Sequence, residues 1–213
     1  MMTRRAILLG LSGLVLAGGG YAAGAFREAR GQAESRLFSH SSVIESRAGA
    51  LEYAVAGDGP PVMMIHGTGG GFDQGLLFAA KLRERGFRIV APSRFGYLRS
   101  AFHDDASPVH QADTFVDFLD HLGIGQLPVL GGSAGALTAA EFALRHPDRC
   151  LDMGLLVPAA NLTNRDPVAF TALQRVAVGA VLGSDVAFWT LSRLAPGQMM
   201  RTLLATDPAL LDT

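Results

Sequence analysis

Between the apolar run Val129-Leu130 and a helix-patterned stretch ending at Arg145 stand Gly131-Gly132-Ser133-Ala134-Gly135. A chain that leaves a buried strand and enters a helix within so few residues must turn sharply. A serine at the apex is then pushed to unfavourable backbone angles. Residues two places before and two places after it must be small for strand and helix to approach, and Gly131 and Gly135 meet that need. The turn lifts the Ser133 hydroxyl above the sheet. It also leaves the Ala134 N–H at a helix N-terminus, where developing negative charge is stabilised. On five residues alone, a glycine-rich turn with an incidental serine is the competing reading.

The flanking pattern repeats this strand-then-helix order. Val43–Arg47 and Leu51–Val55 alternate around Ala48-Gly49 as a hairpin would. Val62-Met63-Met64-Ile65 and Phe87–Ala91 are unbroken apolar runs, as expected of strands buried on both faces. A helix is expected over 74–84. Another is expected after Ser107-Pro108, an N-cap followed by a proline at the first helical position, running to His121. Leu151–Val157 reads as a further strand. Such alternation with short connections predicts an α/β fold, a mostly parallel sheet with helices on both faces. After Pro158 only Ala/Leu/Val-rich helical segments follow, broken at Gly183, Pro196-Gly197 and Asp207-Pro208. The expected organisation is an apolar leader over 1–26, a polar tether over 27–42, the core over 43–166 and a helical addition over 167–213.

Composition removes several function classes. With 18 basic against 19 acidic residues in 213, no excess of positive charge argues for nucleic acid. One cysteine, Cys150, makes no internal disulfide, and no Cys/His spacing suggests a metal. Gly67-Thr68-Gly69 has Phe72 where a dinucleotide fingerprint needs its third glycine, and no Gly-Lys-Ser/Thr occurs. No cofactor is expected. The uncharged stretch Ala6–Phe26 follows Arg4 and Arg5 and ends near Ala23-Gly24-Ala25, the pattern of a signal peptide or membrane anchor. Its five glycines from Gly10 to Gly20 and lack of a polar face argue against a buried helix. The domain is therefore expected to be exported or held outside the cytoplasm, which leaves membrane association through the N-terminus open.

His66-Gly67-Thr68-Gly69-Gly70-Gly71 follows the Val62 strand directly. A backbone N–H just after His-Gly, that of Thr68, is placed to be a second donor toward an oxyanion beside that of Ala134. His66 precedes that loop and reads as a structural hydrogen-bonding residue rather than a base. Strand, His-Gly loop, helix, strand, Arg94-Phe95-Gly96-Tyr97-Leu98-Arg99-Ser100, helix, strand and Gly-x-Ser-x-Gly together resemble the α/β-hydrolase superfamily over Val43 to Pro158. Ser93 departs from that pattern, which usually has an aspartate there.

The resemblance implies hydrolysis of an ester or related acyl bond in a small molecule, with Ser133 as the nucleophile. It also implies an acid and then a histidine after that serine. The residues after Ser133 hold one histidine, His146, thirteen places along the helix. At 1.5 Å per residue it lies about 20 Å away and out of reach. The expectation is that the chain stops inside the family's helical cap, before the acid and the histidine. A relocated base near His103 is the weaker alternative. A non-catalytic binding protein of hydrolase fold, an inactive fragment and a membrane-anchored structural protein are the competing readings.

Overall fold

The computed structural model describes residues 4–159 and 171–203; the side chains of residues 4–18, 173, 174, 200, 202 and 203 lie outside the description. The chain divides into two compact units, residues 34–163 and residues 1–33 with 164–213.

The elements run α1 (Arg4–Phe38), β1 (Ser42–Ser46), β2 (Gly49–Ala56), β3 (Pro61–Ile65), α2 (Phe72–Phe78), α3 (Ala80–Glu84), β4 (Arg88–Pro92), α4 (Pro108–His121), β5 (Leu127–Gly132), α5 (Gly135–Arg145), β6 (Cys150–Leu156), α6 (Ala172–Leu182), α7 (Asp185–Leu194) and α8 (Pro196–Leu203). The stretch expected to be a polar tether is helical as far as Phe38. Its Ala, Glu, Gln and Arg are strong helix formers, and Gln32 donates to Glu28 one turn back. The single helix expected over 74–84 is two, separated at Ala79. Ala79 is buried against Val62, Met64 and Ile89, a tertiary contact that no local residue announces.

The sheet of the first unit has the order β1-β2-β4-β3-β5-β6. Its first two pairings are antiparallel, and β4, β3, β5 and β6 are parallel to one another. Met63 and Ile65 face one side with Val90, Val129, Phe115 and Phe118 of α4, and Phe142 of α5. Val62 and Met64 face the other, with Leu76 of α2 and Leu82 of α3. Alternate residues of one short run thus enter two cores, which is why these strands show no polar face. Helix α4 starts as its sequence requires, with the Ser107 hydroxyl accepting from the His110 N–H at 3.2 Å. Among the described residues β6 is the edge strand opposite β1, and Leu151, Met153 and Leu155 are exposed on it.

In the second unit Phe26 meets Trp189 edge-on at 5.6 Å, and Arg30 lies 3.9 Å from Asp185. Ser184 caps α7 by accepting from the Ala187 N–H. Among the described residues no helix is long and apolar enough to cross a membrane. Most of the Ala6–Phe26 segment has its side chains outside the described residues.

Candidate active site

Ile65 of β3 stands beside Gly131 of β5 in parallel register. The two strands therefore deliver His66 and Ser133 together at their C-terminal ends, the place where open α/β sheets hold ligands. Ser133 has φ +49°, the left-handed conformation a sharp turn imposes. The glycines around it are obligatory. A Cβ on Gly131 would lie 2.6 Å from the Gly135 carbonyl oxygen, and one on Gly135 would lie 2.5 Å from that of Ile65. The segment after β6 locks the turn. Ser133 N–H donates to Leu156 O at 2.9 Å, and Ala159 N–H donates to Ser133 O at 3.1 Å.

The His-Gly loop packs directly on the elbow, since the Cβ direction of Gly67 points to within 3.1 Å of the Ser133 Cβ. Gly67 N–H is already used, donating to Gln74 Oε1 at 2.8 Å. Among the described residues neither Thr68 nor Ala134 N–H has a protein acceptor. Ser133 is half-buried and therefore open to a small molecule. The structure thus sets Gly67 of the His-Gly loop against Ser133, with Thr68 and Ala134 the next residues along their chains.

His66 is fully buried with both ring nitrogens occupied. Nε2 accepts from the Arg94 N–H at 2.8 Å, so Nδ1 carries the hydrogen and donates to the Gly67 carbonyl at 2.7 Å. Burial pushes the imidazole down to about 4, with the nearby Arg94 charge adding to the effect. A neutral ring with no free nitrogen is a strut between two loops, not a base. His146, at the far end of α5, is held by Asp113 at 2.8 Å. The His103 ring packs edge-on against His110, centroids 4.3 Å apart, and its Nδ1 accepts from the Asp105 N–H. Among the described residues no histidine or carboxylate hydrogen-bonds Ser133, and none group to hold a metal.

Ser93 is fully buried and serves the scaffold. Its hydroxyl accepts from Phe72 N–H at 3.0 Å, at the start of α2, and donates to Glu52 at 3.4 Å. Glu52 is a residue that sequence reasoning missed. Wholly buried in β2, it accepts from Arg99 Nε at 2.7 Å, Arg99 N–H at 3.0 Å and Ser41 Oγ at 2.7 Å. A carboxylate therefore does organise the loop after β4, but it comes from β2. Gln74 was missed too, since an amide in a helix carries no local sign that a loop N–H awaits it. Beside the elbow lies a cavity of about 310 Å³, lined by Ala134, Leu137, Arg94, Phe95, Phe102 and Gln111 among others.

These features match known proteins. A family model described as the alpha/beta hydrolase fold covers residues 60–184. An uncharacterized hydrolase of Bacillus subtilis, YcgS, is 36% identical over 101 residues, 47% of this chain and 35% of its own. A 2-hydroxy-6-oxo-6-phenylhexa-2,4-dienoate hydrolase of Comamonas testosteroni is 29% identical over 113 residues, 51% of this chain and 40% of its own. The chain thus spans between 35% and 40% of the length of these curated relatives. Among solved structures, a bacterial membrane phospholipase A superposes with a TM-score of 0.57 at 28% identity, over 81% of this chain and 58% of that one. Elbow, His-Gly loop, sheet order and family match agree: the chain belongs to the α/β hydrolase fold family.

Proposed function

We propose that the protein hydrolyses an ester or related acyl bond of a small molecule through Ser133, whose Oγ attacks the acyl carbonyl. The oxyanion so formed is received by the N–H groups of Ala134 and Thr68. Its collapse breaks the ester C–O bond, the alcohol leaves with the proton given up by Ser133, and water then frees the acid from the serine. One observation carries the reading: a serine at φ +49° with the Gly67 peptide packed on it and two N–H groups beside it that no described residue claims. The names of the relatives, a dienoate hydrolase and a phospholipase among them, support hydrolytic chemistry in the wider family.

A fluorophosphonate probe at high concentration and long incubation tests the nucleophile, because its phosphorus is electrophilic enough to be attacked slowly by a serine beside two N–H donors even where no base assists. Labelling of the chain should be lost in Ser133→Ala; labelling that persists there would point to another residue or to a non-catalytic binding protein. A serine hydroxyl is weak until a base takes its proton. No described histidine does so, and turnover of activated short-chain esters by these 213 residues should be barely above background. Brisk Ser133-dependent turnover would mean a base is present, and His103 would be the residue to mutate.

The stretch Ala6–Phe26 after Arg4 and Arg5 is further proposed to export the domain or tether it outside the cytoplasm. Residues 1–40 fused to a reporter active only outside the cytoplasm should give signal. A reporter silent outside and retained in the cytosol refutes the assignment.

A further inference from the structure

The cavity beside Ala134 is lined by two residues, Gln111 and Arg94, that carry hydrogen-bond donors with no acceptor among the described residues. Gln111 is 3% exposed, and its amide orientation is set because the Phe95 N–H donates to Oε1 at 2.8 Å. A flip would put two donors face to face, so the nitrogen must be where it is. Nε2 has no partner among the described residues. An unmade hydrogen bond at a buried amide costs about 1–3 kcal/mol, and a group left so in a folded protein calls for an explanation.

Arg94 lines the same cavity. It is half-buried, its guanidinium lies 5.2 Å from the centre of the Tyr97 ring, and it pairs with no carboxylate among the described residues. Burial holds it below its usual range, yet arginine keeps its charge at physiological pH. One unneutralised cation and one unpaired amide donor, with Phe95, Phe102 and Leu137 around them, suit a group with a single negative charge and two acceptor oxygens. A neutral carbonyl would leave the guanidinium uncompensated. A phosphate dianion would bring more charge than one arginine offsets.

We propose that this cavity is the acyl pocket, and that Arg94 and Gln111 receive a carboxylate at the far end of the acyl chain. The substrate class is then the half-ester of a dicarboxylic acid. The assignment of the pocket to the acyl side rests on Ser133 as the nucleophile; the carboxylate subsite stands on the orphan donors alone.

Binding tests it without turnover. Monomethyl esters of succinate, glutarate and adipate are titrated against the chain beside their dimethyl esters, following the Gln111 side-chain amide by ¹⁵N NMR. At least one half-ester should bind tenfold or more tighter than its diester and shift that resonance. Arg94→Met keeps the backbone N–H that holds His66 and should bring the two within twofold, while Arg94→Lys retains part of the preference. Gln111→Glu keeps the acceptor for Phe95 and should weaken the half-ester at least tenfold while sparing the diester. Equal affinities, a preference surviving Arg94→Met, or no binding of either ester overturns the subsite. Fluorophosphonate labelling in parallel separates the two claims. Labelling without a carboxylate preference removes the subsite and keeps the hydrolase; a preference without labelling keeps the subsite and removes the hydrolase.

Discussion

Acid should weaken this fold through one buried imidazole. His66 accepts a hydrogen bond from the Arg94 N–H and donates one to Gly67, so a second ring proton would break the first bond and set two N–H groups against each other. Burial holds its folded value at about 4, against 6.5 for a free side chain. Between those values the unfolded chain binds a proton that the folded one refuses, so stability falls as pH falls. The slope reaches about 1.36 kcal/mol per pH unit, giving about 3 kcal/mol in full and about 2 kcal/mol between pH 7 and pH 5. Stability should be level above pH 7 and cease to fall on this account below about pH 4. His66→Gln offers Oε1 to the Arg94 N–H and does not titrate. It should be less stable at neutral pH by about 1–2 kcal/mol, for the lost bond to Gly67, and lack this acid loss. Asp113 and Asp117 are held below the usual carboxylate range by Arg145 and Arg47, and they weaken both proteins alike on acidification. Urea unfolding followed by circular dichroism at pH 7.5, 6 and 5 measures the difference. Parallel losses in the two proteins would refute the reasoning, and a gain in stability on acidification would reverse its sign.

Two further outcomes follow from close packing and buried charge. Gly135→Ala forces a methyl group against the carbonyl oxygens of Ile65, the last residue of central strand β3, and of His66 just after it, which are held by the sheet and cannot yield. It should cost about 3 kcal/mol in urea unfolding and abolish Ser133 labelling, and a change below 1 kcal/mol would mean the elbow is looser than described. Arg99→Met leaves Glu52 buried without its cation and should cost about 2–3 kcal/mol, toward the low side because Arg99 reaches solvent. Unfolding midpoints that coincide would show that Ser41, Ser93 and the Arg99 N–H suffice for that carboxylate.

Local pattern alone determined much of the core of this protein. Apolar runs such as Val62–Ile65 can only be strands buried on both faces, because no polar side remains to meet water. Ser107-Pro108 can only open a helix in good geometry, and Gly131 and Gly135 around Ser133 admit a turn that larger residues would forbid. Only the tertiary structure decided the rest. That β4 passes beyond β3 to pair with β2, and that Glu52 meets Arg99 across 47 positions, depend on which strands become neighbours. The break at Ala79 depends on what packs beneath it. His66 already read as structural from its place before the His-Gly loop. Its partners, the Arg94 N–H and the Gly67 carbonyl, and the Phe95 N–H that orients Gln111, are brought into place only by the fold. A periodicity reports the face a residue presents, since that follows from its own backbone. It cannot report the partner waiting there, since that partner arrives from a distant part of the chain only when the whole sheet has formed.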